Sequence, residues 1–466
     1  MIDGTGTPGR VADVAVADGR IVAIGDDLVS GGDEIDGAGR VLAPGFIDAH
    51  AHDDRAVLAT PDMTPKLSQG VTTVVGGNCG LSIAPLSPPS ELPAPFPLIG
   101  APADFAYPTV KAYRAAVDAS PPAINIALLV GHTTLRVGVM RGLDREASAA
   151  EIDAMRTELA TALADGCIGL SSGVDYDPAA AAGVRELGAL VEIVGQTPGA
   201  VYASHIRDEG DGVVEAVDEA ITTAAASGAP LVLSHHKCAG PANYGRSVET
   251  LARVDTADDV ALDVYPYTAS STSLVAKFAR DAETVRVMWS DSEPGVAGRF
   301  LSDITDEWNC SVDEACARLE PAGAIYFQID EGDLRRILRH PRAMVGSDGI
   351  PLRPSPHPRL WGTFPRVLGQ YVRDAPLLDL PTAVHKMTGL PAGRFGLVGR
   401  GEIAVGKAAD LVLFDAASIA DRATYDDPEQ PAAGIDAVIV AGELAWSDGR
   451  PTGSRTGRFL ARGATA

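Results

Sequence analysis

Eight short apolar runs recur through the middle of the chain, and most of them are followed by a segment with helical periodicity. Near-continuous apolar runs are typical of parallel strands that are covered on both faces. Eight strand–helix repeats predict an α/β fold, a (β/α)8 TIM-like barrel over residues 44–399. The runs read GFIDAHAH, TTVVGGNCG, INIALLVGH, IGLSSG, VYASHIRDEG, LVLSHHKCAG, VALDVYPY and AMVGSDG.

Nearly every one of these runs ends in polar residues. The active sites of such barrels lie at the carboxyl ends of the strands, which meet at one face. Residues that are far apart in the sequence are therefore expected to converge there. The polar run ends are His50, His52, Cys79, His132, Ser171, Ser172, His205, His235, Tyr265 and Asp348.

Two of the segments between the runs carry clear helix boundaries. In the first, Ser148 and Glu151 stand at the spacing of a capping box, and Gly166 follows as a stop signal. The second segment runs in the same style from Asp211 to Gly228. Both segments predict helices between successive strands.

The two ends of the chain differ from its middle, because both read as short apolar strands split by Gly and Asp turns. They predict one small β domain assembled from residues 1–43 and 400–466. Two insertions interrupt the barrel. The first, near residues 85–108, holds eight prolines and is expected to form a lid or an ordered loop. The second, near residues 275–340, is expected to be partly helical.

The composition limits the possible partners. The 466 residues carry a formal net charge of −24, from 38 basic and 62 acidic residues, so we expect the chain to repel nucleic acid and anionic membranes. No apolar run approaches the ~20 residues needed to cross a bilayer, and we find no secretory signal. Five scattered cysteines argue against a disulfide framework and predict a cytoplasmic protein.

His50 and His52 would point the same way at the end of an extended strand, because side chains alternate along a strand. Taken alone, the pair is weak as a motif, and two hydrogen-bonded polar residues closing a strand are the alternative. The metal interpretation gains strength because His205 and His235 end two later strands and Asp348 ends the last one. Four histidines and a carboxylate suit zinc.

Cys79 and Asp348 each have more than one interpretation. A small buried hydrophobe is the commoner fate of a cysteine, but the flanking glycines of GGNCG and its place at a strand end favour a metal ligand. Asp348 in VGSDG could be a permanent ligand or a general base that holds the proton of a metal-bound water. The alternative is an aspartate that caps a turn before Gly349.

A second group of residues is expected to recognise an anion. Lys237 lies two residues beyond His235 and would share its side of the strand, and an arginine binds a carboxylate as a fork. A surface salt bridge is the alternative for Arg359. His132, His236 and His357 are interpreted as structural. The anion group consists of Lys237, Tyr265, Ser271 and Arg359.

Longer motifs resemble those of the N-acyl-D-amino-acid deacylases, the D-aminoacylases of the amidohydrolase superfamily. They extend over essentially the whole chain, and HPRLWGTFPRVLG and VVGGNCG are far more specific than a His-x-His pair. The resemblance implies a metal-dependent barrel beside a small β-sandwich, which hydrolyses N-acyl-D-amino acids to a carboxylate and a free D-amino acid. The motifs are APGFIDAHAHDD, LSQGVTTVVGGNCGLSIAP, YASHIRDEGD, SHHKCAG, DVYPYTASST, GSDGIPLRPSPHPRLWGTFPRVLGQYV and GEIAVGKAADLVLFD.

The resemblance also implies a set of metal ligands. It assigns a tight zinc ion to Cys79, His205 and His235, and a weaker or vacant second position to His50 and His52. Many amidohydrolases bridge two metals with a carboxylated lysine on the fourth strand, whereas here that strand reads CIGLSSG and has no lysine. Cys79 is therefore the candidate bridging ligand, and a hydantoinase or dihydroorotase is disfavoured.

By the same resemblance, Asp348 corresponds to the catalytic base. The partner is then a small molecule, an N-acyl-D-amino acid, whose D side chain and acyl group the sequence leaves open, as it does the oligomeric state. An acidic side chain would need an additional cation near its pocket. The α-carboxylate of the substrate would be held by Lys237, Tyr265, Ser271 and Arg359.

Two alternatives remain at this point. One is another member of the same superfamily, either a cyclic-amide hydrolase or a deaminase, and the other is a barrel that has lost its chemistry and serves as a scaffold. Retention of every ligand and of Asp348 argues against the scaffold.

Similar proteins usually begin with an extra apolar strand, and this chain begins at MIDGTGTPGR. The small β domain is therefore expected to lack one edge strand.

Overall fold

In the computed structural model, which describes residues 1–29, 31–89, 91–351 and 354–464, the middle of the chain forms a closed parallel barrel. Eight strands of the described residues pair in chain order, each parallel to the next. The first and last strands meet where the Ala49 amide donates to Val345 O over 3.2 Å. The predicted (β/α)8 barrel is confirmed. Its strands are Phe46–Asp48, Val71–Gly76, Asn125–Gly131, Gly169–Gly173, Val201–His205, Leu231–Leu233, Val260–Val264 and Ala343–Val345.

Helices follow most of these strands and cover the barrel. The predicted capping box is present, because Ser148 Oγ accepts from the Glu151 amide at the start of helix Ala149–Ala164. Helix Val213–Ser227 ends at Gly228, whose φ of 63° lies in the left-handed region that favours glycine. None of the described helices is long and apolar enough to cross a membrane.

The other α-helices are Ala56–Ala59, Thr64–Leu67, Val110–Ala119, His132–Val139, Asp177–Ala180, Val184–Gln196, Ser247–Thr256, Ala276–Asp281, Leu301–Trp308, Val312–Leu319, Glu331–Arg339, Arg359–Arg366, Leu380–Met387 and Gly389–Arg394. A π-helix, Val367–Asp374, continues from helix Arg359–Arg366. Short 3-10 helices are Phe96–Leu98, Pro102–Asp104, Pro241–Asn243 and Pro294–Val296.

The barrel interior is filled by apolar side chains that point inward from the strands, as expected for this architecture. They form one buried cluster with apolar residues that close the barrel at the end opposite to the polar strand ends. The strand residues of this cluster include Ile47, Val75, Ala127, Leu129, Val201, Ala203, Val232, Ala261 and Met344, and the closing residues include Phe395, Leu397 and Leu460.

Both ends of the chain contribute to a small antiparallel β domain. Strand Val41–Pro44 lies at one edge of a five-stranded sheet, beside strand Leu411–Phe414. A separate hairpin pairs Asp13–Ala17 with Arg20–Gly25. The predicted division of the chain at residues 43 and 400 stays a prediction. The sheet continues through Ile435–Val440, Glu443–Ser447 and Arg450–Pro451.

The second insertion forms a small layer of its own beside the mouth of the barrel. Its three antiparallel strands are ordered Ala269–Ser273, Ala322–Phe327 and Thr284–Ser290. The helices Leu301–Trp308 and Val312–Leu319 pack on this sheet through a separate apolar cluster. We call residues 269–327 the insertion layer. The expectation of a partly helical segment is correct, but it missed the sheet.

The proline-rich stretch near residues 85–108 is ordered around two buried aromatic rings. Phe96 and Phe105 lie edge to face with their ring centroids 5.5 Å apart. Leu86 N donates to Tyr107 O over 2.8 Å, which joins the start of the stretch to its end. Position Ser90 lies outside the described residues. The rest of the stretch is an ordered loop, one of the two outcomes expected from its prolines.

Candidate metal centre and its cavity

Six side chains from five strand ends converge at the mouth of the barrel. All of them are buried, with exposed fractions between 0% and 7%. Three directly follow strands in left-handed backbone, with φ of 53° at Cys79, 35° at His235 and 49° at Asp348. Such φ values are costly for residues other than glycine and concentrate at functional sites. The six are His50, His52, Cys79, His205, His235 and Asp348.

One subset of these residues is built on the Cys79 thiol. Its Sγ lies 3.2 Å from His235 Nε2, and that nitrogen lies 3.1 Å from His205 Nδ1. The three potential ligand atoms all lie within 4.8 Å of one another. The structure thus brings together the three residues for which a tight ion was expected.

A second subset shares the same thiol. His50 Nε2 lies 3.3 Å from Cys79 Sγ and 3.7 Å from Asp348 Oδ1. His52 Nε2 lies 3.2 Å from the same carboxylate oxygen. Potential ligand atoms of His50, His52, Cys79 and Asp348 again lie within 4.8 Å of one another. Cys79 therefore stands between two adjacent groups of donors.

The charges around the centre favour ionised ligands. Burial by itself would raise the pKa of the Cys79 thiol, but His235 and His50 beside it hold that pKa well below its ordinary value. Burial also opposes ionisation of Asp348, yet Arg359 and His235 hold the pKa of this carboxyl well below its usual range. A thiolate and a carboxylate are the forms of these side chains that bind metals.

Three carboxylates stand behind the histidines. Asp263 Oδ1 lies 3.2 Å from His50 Nδ1, and Glu209 Oε1 lies 3.1 Å from His235 Nδ1. Asp175 Oδ2 lies farther away, 3.9 Å from His205 Nε2. The contact with Asp263 favours the His50 tautomer that carries the proton on Nδ1, which leaves the Nε2 lone pair facing Cys79, whereas His235 Nδ1 also lies 2.8 Å from Lys237 Nζ. Carboxylates placed in this way orient metal-binding histidines.

These three carboxylates were missed from the sequence. Each lies close to a polar strand end that was singled out: Asp263 in LDVYP, Glu209 in HIRDEGD and Asp175 in SSGVDY. Proximity in the chain was the available signal. The direction of each side chain depends on the neighbouring strand, which the chain pattern does not specify.

A buried lysine ties the first strand end to the last. Lys66 Nζ lies 2.7 Å from Asp48 Oδ2 and 3.1 Å from Asp53 Oδ2, and none of these side chains is more than 2% exposed. The other oxygen of Asp48 accepts from the amides of His50 and Ser347. Breaking a buried ion pair by removing one partner is strongly destabilising. Sequence reasoning gave no role to Lys66.

The residues expected to hold an anion make the following contacts. Arg359 is fully buried, and its Nη2 donates to Asp348 Oδ2 over 2.9 Å and to Ser271 O over 3.0 Å. Its guanidinium lies 4.6 Å from the centre of the Tyr265 ring. Lys237 Nζ donates to Glu209 Oε1. Ser271 Oγ donates to Met288 Sδ over 3.3 Å.

Some polar atoms in this region have no hydrogen-bond partner among the described residues. They include Nε and Nη1 of Arg359, the hydroxyl of Tyr265, Nδ1 of His52 and Nε2 of His205. All are buried, and a buried polar group without a partner is costly. Their clustering around the centre is what a site built for a ligand requires.

The three histidines interpreted as structural each bond within the fold. His132 Nε2 lies 2.8 Å from Glu186 Oε1, and His236 Nε2 lies 2.8 Å from Thr250 Oγ1. His357 Nδ1 accepts from the Arg359 amide over 3.0 Å, so this histidine fixes the start of the helix that carries the arginine.

A cavity of about 370 Å³ opens above the centre. Its base holds His52, Cys79, His205, His235 and Asp348, with Lys237 and Ser271 beside them. The insertion layer and the proline-rich loop form the sides. The volume suits a small-molecule ligand. The side residues include Leu81, Leu98, Ile99, Asp175, Tyr176, Asp208, Asp211, Lys277, Phe278, Asp281, Tyr326, Gln328 and Ile350.

Comparison with known proteins places this site in a family. Residues 33–445 match the model of the Amidohydrolase family. The chain belongs to the amidohydrolase family. Three amidohydrolase relatives from Alcaligenes xylosoxydans xylosoxydans are each 47% identical to it. They are a D-aminoacylase, matched over 99% of this chain and 96% of that protein, an N-acyl-D-glutamate deacylase, over 100% and 96%, and an N-acyl-D-aspartate deacylase, over 99% and 94%.

Solved amidohydrolase structures agree with this placement. A structure of D-aminoacylase with a binuclear metal centre, described by one-metal activation and second-metal attenuation, matches with a TM-score of 0.96 and 48% identity over 99% of this chain and 98% of that one. N-acyl-D-glutamate deacylase from Bordetella bronchiseptica, complexed with zinc and a phosphonate mimic of the tetrahedral intermediate, matches at 0.94 and 46% over 99% and 97%. The resemblance to the N-acyl-D-amino-acid deacylases is confirmed.

Proposed function

We propose that this amidohydrolase is a zinc-dependent deacylase that hydrolyses the amide bond of N-acyl-D-amino acids to a carboxylate and a free D-amino acid. The observation that carries the proposal is the thiol of Cys79, placed between two groups of histidines beside Asp348. This arrangement lies in a fold shared over nearly the whole chain with a zinc-containing N-acyl-D-glutamate deacylase.

The residues present fit zinc. Thiolate sulfur, imidazole nitrogen and carboxylate oxygen are its usual donors, and the buried His205 Nε2 and His52 Nδ1 lack partners among the described residues. Cys79, His205 and His235 would hold the tight ion. His50, His52 and Asp348 would form a weaker second position with Cys79, because Arg359 already binds one oxygen of Asp348. Bound zinc acts as a Lewis acid that polarises the acyl carbonyl and activates water.

Asp348 is placed to move the proton. Its Oδ2 is fixed by Arg359, while Oδ1 faces the histidines and lies 3.2 Å from His52 Nε2. The low pKa of this carboxyl keeps it ionised at neutral pH, and an ionised carboxylate can accept a proton from the attacking water. Asp348 then returns that proton to the leaving amine nitrogen as the amide bond breaks.

Arg359 and Tyr265, the proposed donors to the substrate α-carboxylate, are buried behind the residues that line the cavity. Arg359 Nη1 and the Tyr265 hydroxyl have no hydrogen-bond partner among the described residues, and the guanidinium stacks on the ring. Ser271 and Lys237 line the cavity nearby. With the carboxylate and the acyl carbonyl both fixed, the two enantiomers of an amino acid direct their side chains to different places. The preference for the D enantiomer is proposed from the names of the relatives, an N-acyl-D-glutamate deacylase and an N-acyl-D-aspartate deacylase among them.

The fourth strand bears on the role of Cys79, which would be the ligand common to both metal positions. It reads GLSSG over Gly169–Gly173 and offers no lysine. Its Ser171 Oγ instead accepts from the Gly80 amide over 3.0 Å and lies 2.5 Å from Gly77 O. The strand therefore holds the loop that presents the cysteine.

We also propose a cytoplasmic location, because all five cysteines are free, as is usual in a reducing compartment.

A substrate panel on metal-analysed protein tests the function. Zinc is measured by mass spectrometry, and free amine is followed with N-acetyl-D-amino acids, their L enantiomers and a cyclic hydantoin. We expect bound zinc and amine release from the D compounds alone. Ring opening without acyl cleavage would point to a cyclic-amide hydrolase. Absence of both zinc and turnover would point to a scaffold.

A further inference from the structure

We propose that the enzyme, taken as the deacylase described above, selects N-acyl-D-amino acids with neutral side chains and rejects those with anionic side chains. Sequence identity does not distinguish between these side chains, because relatives named for different substrates are all 47% identical to the chain. The charges that line the cavity distinguish between these possibilities.

The sides of the cavity are acidic. Asp208, Asp211 and Asp281 all line it, and no ion pair to a lysine or arginine forms at any of them within the described ranges. Asp208 Oδ1 accepts from the Gly210 amide over 2.7 Å, and Asp211 Oδ1 accepts from Asn243 Nδ2 over 3.1 Å. These contacts fix the two carboxylates without neutralising their charge.

The cations of the cavity are already engaged. Of the described residues that line it, the basic ones other than histidine are Lys237 and Lys277. Lys237 Nζ donates to Glu209 Oε1. Lys237 is also one of the residues proposed to bind the substrate α-carboxylate. Lys277 lies at the rim, 57% exposed, with its Nζ 3.8 Å from Asp175 Oδ1. A second carboxylate on the substrate would therefore meet three unneutralised acids and a lysine screened by water and by its own acidic partner.

Apolar side chains also line the cavity. Leu98 and Ile99 come from the proline-rich loop, Phe278 from the insertion layer and Ile350 from the segment after the last barrel strand. Together they give a neutral side chain a surface on which to bury apolar area, which is favourable. The same surface offers nothing to a charged group that must lose its water.

The expected discrimination follows from Coulomb's law. Charges separated by about 10 Å in a solvent-rich cavity repel one another by a fraction of RT to about one RT each, and salt screens this repulsion. Three unpaired carboxylates acting in the same direction should therefore reduce kcat/KM for an anionic side chain about tenfold at low ionic strength. The effect should shrink as salt is added.

N-acetyl-D-glutamine and N-acetyl-D-glutamate form a matched pair, since they differ in side-chain charge and hardly in size. We expect the zinc-loaded full-length enzyme to favour the glutamine derivative about tenfold in kcat/KM at low salt. The ratio should fall toward one in a variant that combines Asp208→Asn, Asp211→Asn and Asp281→Asn. Asparagine keeps the accepting oxygen at each position.

A control variant removes the same number of charges far from the cavity, through Asp118→Asn, Asp153→Asn and Glu158→Gln on outer helices, where all three residues are exposed. Its ratio should equal that of the unmodified enzyme. If the cavity variant does not fold, the salt dependence of the unmodified enzyme gives the same test without a substitution.

A preference for N-acetyl-D-glutamate, or a ratio near one that does not respond to salt, would overturn this inference while leaving the deacylase function intact. An equal fall of the ratio in the control variant would also overturn it, because the discrimination would then reflect net charge and not the cavity. Absence of turnover with every N-acetyl-D-amino acid would remove the proposed function and the inference together.

Discussion

The base and the sides of the cavity are built in opposite ways. At the base, the six strand-end residues from His50 to Asp348 are buried, and three of the four histidines have a carboxylate behind them, from Asp263, Asp175 or Glu209. At the sides, residues such as Lys277 and Asp281 stand on a short helix of the insertion layer, where they are exposed. We infer from this contrast that the strand ends carry the chemistry and that the loops and the insertion layer carry the selectivity.

The largest effect is expected at the base. Asp348→Asn removes the proton acceptor but keeps a polar side chain of the same shape beside Arg359. We expect kcat to fall by about 10²–10⁴-fold, with the tight zinc retained, as measured by steady-state kinetics and metal analysis on the same preparation. Near-normal kcat would remove Asp348 from its role as base. Loss of zinc would instead make it an essential ligand.

Glu209→Gln tests whether a carboxylate behind the histidines contributes to zinc affinity. The substitution weakens the acceptor that faces His235 Nδ1, 3.1 Å away, and removes the counterion of Lys237. We expect zinc affinity, measured by competition with a chelator, to drop about 10–100-fold. Asp208→Asn is the matched control one residue earlier, and its zinc affinity should be unchanged. Equal affinities in the two variants would refute an orienting role for Glu209.

Tyr265→Phe tests the binding of the substrate α-carboxylate. The hydroxyl is buried and has no partner among the described residues, so its removal should spare the protein and weaken binding of the α-carboxylate. A hydrogen bond to a charged group is worth about 1.5–3 kcal/mol, which corresponds to at least a tenfold rise in KM. We expect kcat to change little. A fall in kcat at constant KM would contradict a binding role.

The smallest effect is expected at the sides. Phe278→Ala removes apolar surface from the cavity, so kcat/KM for N-acetyl-D-leucine should fall on the order of fivefold, while N-acetyl-D-alanine should be little affected. Zinc content should stay the same. A loss of kcat for both substrates as large as that of Asp348→Asn would break the distinction between base and sides.

Part of the fold and part of the site could be predicted from the sequence. The barrel and the positions of Cys79, His205 and His235 were predictable, because strand periodicity and polar strand ends are local signals. Asp263, Glu209 and Lys66 were missed because their roles arise from contacts between elements that are distant in the sequence. The sheet of the insertion layer was missed as well. Its first strand reads ASSTS over Ala269–Ser273 and lacks the apolar alternation that marks a strand.

We propose that Cys79, His205 and His235 hold the essential ion and that His50 and His52 form a weaker position. Zinc content after exhaustive dialysis, compared between His205→Asn and His52→Asn, tests it most directly. We predict that His52→Asn keeps about one zinc ion per chain and that His205→Asn retains none and is inactive. Retention of zinc by His205→Asn, with loss from His52→Asn, would contradict the account.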